Sequence, residues 1–195
     1  MSRGPASPGN AVTVHIALLR AVNVGGSGRS LPMAELRALL ADLGCANPRT
    51  LLQSGNAVFA HKTGAVALEA RLEAATRKRF GMDVTYLLRS ADEWNAIVAR
   101  NPFAKAAQDD PSRFVLIALK TAPPAAAVKA LRAQYKGPET FEVIGRDAYV
   151  IYPEGQGRSR FSNAMIERRL GVAGTARNWN TVLKLAALAQ QSPEP

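Results

Sequence analysis

The stretch Val12–Pro32, VTVHIALLRAVNVGGSGRSLP, decides how the chain begins to fold. Its first part, Val12–Leu19, is β-branched and apolar and predicts a buried strand. Its second part, Arg20–Pro32, has three glycines in four positions and two arginines, and it leads into a helix pattern. A glycine-rich loop before a helix exposes backbone N–H groups that suit an anion. The stretch therefore predicts a strand, an anion-accepting loop and a helix.

The rest of residues 11–100 completes a ferredoxin-like order, β-α-β-β-α-β, followed by one further helix. Apolar spacing, cap residues and glycine stops indicate each element. After the loop the pattern predicts a helix capped by Ser30 and ended by Gly44, two strands within Arg49–Ala60, a helix at Val66–Phe80, a strand at Val84–Leu88 and a helix at Asp92–Arg100.

Residues 113–190 repeat this order behind a polar, proline-bounded linker at 101–112. The predicted strands are Arg113–Lys120, Glu139–Ile144, Ala148–Tyr152 and a short one at Val172–Arg177, and the predicted helices are Pro123–Gln134, Ser159–Leu170 and Thr181–Gln190. The leader 1–10 and the tail 191–195 are expected to be disordered. The predicted fold class is α+β, with two tandem ferredoxin-like subdomains, antiparallel sheets and extra helices.

Composition limits the function classes. The formal net charge is +10, spread over both halves, which favours either a generally basic protein or an anionic partner. Cys45 is the sole cysteine and the two histidines are far apart, so neither a disulfide nor a zinc site is expected. The sequence has no signal-peptide pattern and no apolar run long enough to cross a membrane. It therefore predicts a cytoplasmic protein that does not associate with a membrane.

Two turns should share one edge of the first sheet, because an antiparallel β-α-β-β-α-β sheet brings the end of its first strand beside the hairpin of its second and third strands. Arginines, neutral amides and free N–H groups at one edge suit a phosphate or a carboxylate. Turn-forming glycine and asparagine explain the same residues without a ligand. The candidate ligand-binding residues at this edge are Arg20, Asn23, Gly25, Gly26, Arg29, Gln53, Ser54, Gly55 and Asn56.

A second candidate segment begins the final helix. Trp179 can stack on a base or sugar while Arg177 and Lys184 hold phosphate. In the alternative interpretation, Asn178 or Asn180 caps the helix and Trp179 anchors the seam between the halves. The spacing GxxxxGK[ST] is absent and the glycines lack the GxGxxG spacing, so neither ATP nor NAD is supported and no cofactor is expected.

The sequence contains no recognisable catalytic constellation. Ser54 has no neighbouring base, and the adjacent pair Asp109-Asp110 lies in the predicted linker. The preferred hypothesis is therefore a protein that binds nucleic acid or a nucleotide. The alternatives are an enzyme acting on a small phosphorylated or carboxylated metabolite, and a structural or partner-binding protein.

Five segments together resemble the bacterial family known as domain of unknown function 1697. They are IALLRAVNVGGSGRSLPMAELR, LLQSGNAVF, FGMDVTYLLRS with the later NPF, GRSRFSNAMIERRLG and GTARNWNTVLKL. One departure is Ala21, where members of that family usually carry glycine. The resemblance implies a two-part α+β fold and implies no established activity.

Overall fold

The computed structural model describes residues 12–20, 22 and 30–191, which form two four-stranded antiparallel sheets with interspersed helices. The strands are β1 (Thr13–Arg20), β2 (Ala46–Thr50), β3 (Asn56–His61), β4 (Thr85–Ser90), β5 (Phe114–Leu119), β6 (Thr140–Ile144), β7 (Asp147–Ile151) and β8 (Gly174–Asn178). The helices are α1 (Met33–Asp42), α2 (Ala65–Phe80), α3 (Ala91–Ala99), α4 (Ala104–Asp109), α5 (Ala125–Gln134), α6 (Asn163–Leu170) and α7 (Trp179–Gln190).

The two sheets have the same topology. Their strand orders are β2-β3-β1-β4 and β6-β7-β5-β8, so the first strand of each half lies between the third and the fourth. The registers correspond as well, because Leu18 lies opposite Asn56 in the first sheet and Ala118 lies opposite Asp147 in the second. The α+β prediction with tandem ferredoxin-like subdomains is confirmed.

Local sequence signals explain most of the helix ends. Ser90 begins α3 with a capping box, since its side chain accepts from the Glu93 N–H while the Glu93 carboxylate accepts from the Ser90 N–H. The first helix differs from the prediction. It begins at Met33 with Pro32 as its N-cap, and no side chain caps it, so Ser30 does not serve as the cap. Proline fits this entry because the ring fixes φ.

The predicted linker, residues 101–112, contains α4. Phe103 packs against the central core and Ala107 is buried in it, so this connection runs along the core. An apolar face on a short helix gives the connection a fixed path between the two halves.

Three apolar clusters hold the layers together. One lies between the first sheet and the helices α1 and α2, and another lies between the second sheet and the helices α5 and α6. The third is central and combines residues of both sheets with α3, α4 and α7. The indole N–H of Trp94 donates to the Val182 carbonyl at 3.0 Å and so ties α3 to α7. We call the contact between residues 12–100 and residues 113–191 the seam.

We expect Gly55→Ala to lower the stability of the protein more than Gly145→Ala does. Both glycines turn a hairpin at positive φ, +75° and +60°, which costs an alanine about 1–2 kcal/mol at either site. A Cβ at Gly55 would also lie 2.8 Å from the Leu19 Cβ, whereas nothing lies within 4 Å at Gly145. Overpacking should add about 1–3 kcal/mol at Gly55 alone.

Urea denaturation of the two variants measures this difference directly. Equal losses in the free energy of unfolding would show that backbone strain alone matters at Gly55 and that the close approach to Leu19 is tolerated.

Candidate functional site at the end of the first strand

The end of β1 packs directly on the β2–β3 hairpin. The Leu19 N–H donates to the Gly55 carbonyl at 2.8 Å, and the side chain of Val22 is buried beside Gly55. The structure thus brings Arg20 and the hairpin residues Gln53–Asn56 to the same edge. We call this place the β1 edge, and we define it by Arg20, Val22 and the hairpin tip 52–56.

Arg20 is held in a fixed orientation at this edge. Its Nε and Nη2 donate to the two carboxylate oxygens of Glu167 on α6, at 2.6 and 2.8 Å. The Gly174 N–H also donates to Glu167, at 2.7 Å. Burial opposes ionisation of Glu167, but the hydrogen bonds from Arg20 and Gly174 outweigh it and lower the pKa of this carboxyl group. The Arg20 side chain remains 38% exposed against 14% for Glu167, so the cation is the more accessible member of the pair.

The hairpin tip presents its side chains outward. Gln53 and Ser54 are exposed, and Leu52 is 54% exposed although it is apolar. The backbone of Leu52 has φ of +59°, a left-handed conformation that leucine seldom adopts. Asn56 is buried behind the tip, and its amide donates to the Leu51 carbonyl at 2.8 Å and to the Ser54 hydroxyl at 3.0 Å. The tip is therefore held from within the hairpin.

Arg177 supports the tip from the other half of the protein. It is only 6% exposed, and its donors are all directed to acceptors within the protein. The acceptors are the Leu19, Ser54, Gly55 and Ala176 carbonyls at 2.8–3.2 Å, the Thr175 hydroxyl at 2.8 Å and the side-chain oxygen of Asn56. Burial lowers the pKa of Arg177 to about 10, which still leaves it charged near neutral pH. The phosphate-holding role predicted for Arg177 would require it to leave these partners.

A second buried arginine crosses the seam in the opposite direction. Arg89, on β4, lies opposite Ile16 of β1. In the same way Arg177, on β8, lies opposite Leu116 of β5. The Nη2 of Arg89 donates to the Leu119 and Arg146 carbonyls at 2.9 and 3.0 Å, the counterparts of Leu19 and Gly55. It also donates to the Asp147 carboxylate at 3.1 Å, where Arg177 meets the neutral Asn56. The two arginines form one repeated contact with different acceptors.

Asn178 and Trp179, in the second candidate segment, take structural positions. Asn178 is the N-cap of α7, where its side chain accepts from the Asn180 N–H at 3.0 Å and donates to the Ser112 carbonyl at 2.7 Å. Trp179 is 4% exposed and packs on Phe114 at 4.7 Å between ring centroids, which is the seam anchor of the alternative interpretation. Asn180 and Lys184 are exposed on α7.

Four of the predicted ligand-binding residues, Asn23, Gly25, Gly26 and Arg29, lie outside the described residues. In the described part of the chain, no group of three or more His, Cys, Asp or Glu side chains could hold a metal ion. Within the same ranges, no helix has the length and apolar character needed to cross a membrane.

Sequence reasoning missed Glu167, which pairs with Arg20 across the seam, and the buried pair of Arg89 and Asp147, which crosses the seam at the second hairpin. One signal could have found Arg89. It immediately precedes the cap residue of α3, as Arg177 immediately precedes the cap residue of α7. This shared position identifies the two arginines as equivalent residues of the internal repeat. A comparison of the two halves as a whole does not reveal that equivalence.

The fold is similar to that of a solved structure, the conserved bacterial protein SP0830 from Streptococcus pneumoniae. The TM-score is 0.72 over 92% of this chain and 99% of that chain, at 22% sequence identity, so the likeness concerns the fold alone. No curated protein matches the chain. Residues 12–149 match the family described as "Protein of unknown function (DUF1697)".

We expect Arg177→Lys to destabilise the protein almost as strongly as Arg177→Ala, by at least about 3 kcal/mol. Lysine keeps the charge but cannot reproduce the planar fork, so it leaves several buried carbonyls without donors. Arg20→Ala is the control. It breaks an ion pair whose arginine is 38% exposed and should cost about 1 kcal/mol or less.

Urea denaturation gives the free energy of unfolding of all three variants. If Arg177→Lys is as stable as the native protein, charge rather than donor geometry holds the hairpin tip.

Proposed function

The chain belongs to the DUF1697 family of proteins of unknown function, and we propose that it binds an anionic ligand, nucleic acid above all, at the β1 edge. The proposal rests on the orientation and the exposure of the Arg20 side chain. Its guanidinium is oriented by Glu167, yet it remains 38% exposed beside the hairpin tip. An oriented, accessible guanidinium is suited to a phosphate oxygen.

The buried residues of the edge have a supporting role in this proposal. Arg177 and Asn56 fix the backbone of the hairpin tip from behind, and they do not touch the ligand. The contacts come from the exposed side chains of Arg20, Gln53 and Ser54, together with the predicted loop residues Asn23, Gly25, Gly26 and Arg29. The loop residues enter on sequence alone, because three glycines in four positions leave N–H groups for an anion.

The charge of the protein favours a polynucleotide over a small metabolite. A net charge of +10 supports a polyanionic partner, since release of counterions from such a partner drives binding.

Arg20→Ala should weaken binding to single-stranded RNA and reduce its dependence on salt. Each phosphate contact that is lost lowers the magnitude of the slope of log K against log salt by about 0.7 for a single strand. Fluorescence anisotropy with a labelled oligonucleotide of about 20 nucleotides, longer than one binding module covers, measures both quantities.

Arg132→Ala is the matched control. Arg132 is also ion-paired, with Glu142, and is 46% exposed, but it lies on α5 in the second half. The Arg132→Ala variant removes the same charge as Arg20→Ala and should leave the slope of log K against log salt almost unchanged. The proposal is wrong if the native protein does not bind at low salt, or if the two variants lose affinity equally.

A further inference from the structure

The two halves differ in the connection between the third strand and the second long helix of each half, β3 to α2 in the first and β7 to α6 in the second. In the first half, β3 ends at His61 and α2 begins at Ala65, so residues 62–64 make the connection. In the second half, β7 ends at Ile151 and α6 begins at Asn163, and the connection is residues 152–162, YPEGQGRSRFS. The same strand and helix can be joined by three residues, so the fold itself does not require the longer segment.

The longer segment closes a cavity of about 390 Å³ against the connection between α5 and β6. This volume lies within the range of cavities that hold small molecules. Seven side chains supply its polar wall, namely Tyr135, Lys136, Glu139, Glu154, Arg158, Ser159 and Arg160.

Hydrogen bonds fix the shape of this cavity. The hydroxyl groups of Tyr135 and Ser159 donate to different carboxylate oxygens of Glu139, which joins the two connections. The ring of Tyr135 also packs on the buried Phe161 at 4.2 Å between centroids. Gly137 permits this arrangement, because a Cβ there would overlap the Tyr135 hydroxyl group. The wall is thus built before any ligand arrives.

The basic side chains of the wall are available. Lys136, Arg158 and Arg160 are exposed, and among the described residues none of their side chains makes a hydrogen bond or an ion pair. Elsewhere in the protein many arginines, such as Arg20 and Arg132, are paired with carboxylates. The opposing charges of the cavity are Glu139, whose two oxygens already accept from hydroxyl groups, and Glu154. Three cations and two carboxylates therefore line the cavity, and one of the carboxylates already accepts hydrogen bonds from two hydroxyl groups.

We propose that this cavity is a second ligand site and that it binds a phosphorylated small molecule. Arg158 and Arg160 hold the phosphate group through their planar forks, and Lys136 adds a point charge. The volume of about 390 Å³ suits a single small molecule rather than a polynucleotide. This site does not depend on the function proposed for that edge.

Isothermal titration calorimetry of the full chain with inorganic pyrophosphate at low salt tests the site. The native protein should bind the probe, and the double variant Arg158→Ala/Arg160→Ala should lose at least about tenfold in affinity, which corresponds to about 1.4 kcal/mol. Arg158→Lys/Arg160→Lys keeps both charges without the forks and should lose affinity to a smaller extent. Since both arginines are exposed, the variants should keep the native melting temperature.

The control is Arg77→Ala/Arg132→Ala, which removes the same charge from two exposed, ion-paired positions on α2 and α5. It should bind pyrophosphate within about twofold of the native protein, well below the tenfold change that 1.4 kcal/mol represents. Absence of binding to the native protein, or equal losses in both alanine double variants, overturns the proposal. Titration of Arg20→Ala and of Arg158→Ala/Arg160→Ala with single-stranded RNA separates the sites. Weaker RNA binding in Arg20→Ala, with native RNA binding in Arg158→Ala/Arg160→Ala, supports two sites, and loss of both ligands in Arg158→Ala/Arg160→Ala contradicts them.

Discussion

Two buried arginines, Arg89 and Arg177, hold the halves of this protein together, and the positions of both hairpins depend on them. Each arginine lies near the end of the fourth strand of its own half. Its side chain crosses to the other half, where it donates to carbonyl groups at the point where the first strand meets the hairpin. Carbonyl groups at such strand ends lose water when the halves pack, and each would be costly if it stayed unpaired. A guanidinium has five donors in one plane, so a single side chain can satisfy several of them.

The two contacts are not electrically equivalent. Arg89 faces the carboxylate of Asp147, whose second oxygen accepts from Arg100, a side chain that is 40% exposed. That network therefore extends from the buried seam to solvent. Arg177 faces only neutral acceptors, and burial lowers its pKa. A buried cation surrounded by carbonyl dipoles cannot be released cheaply, which is why we give Arg177 a supporting role and assign ligand contacts to exposed side chains.

The sequence predicted the fold well and the use of individual polar side chains less well. Apolar periodicity and glycine stops such as Gly81 and Gly171 indicate elements locally, and the repeated β-α-β-β-α-β order then determines the strand order of each sheet. The side chain of Arg177 could not be placed in this way. An arginine near a strand end can face solvent or cross to another layer, and only the packing of the halves decides between these. Trp179 was ambiguous for the same reason.

The internal repeat separates what the fold requires from what it does not. Residues that correspond in both halves, such as Leu19 with Leu119 and Arg89 with Arg177, form the seam. Two connections break the correspondence. Between β1 and α1 the chain uses residues 21–32, whereas between β5 and α5 it uses only 120–124. Between β7 and α6 it uses 152–162, where the first half uses 62–64. Both longer connections carry glycines and at least one arginine, and each borders one of the two sites proposed for anions. Because the shorter connection of the other half joins the same kinds of elements, exposed residues of the longer segment 152–162, such as Arg158 and Arg160, are free to serve binding, while its buried residues Tyr152 and Phe161 complete the core.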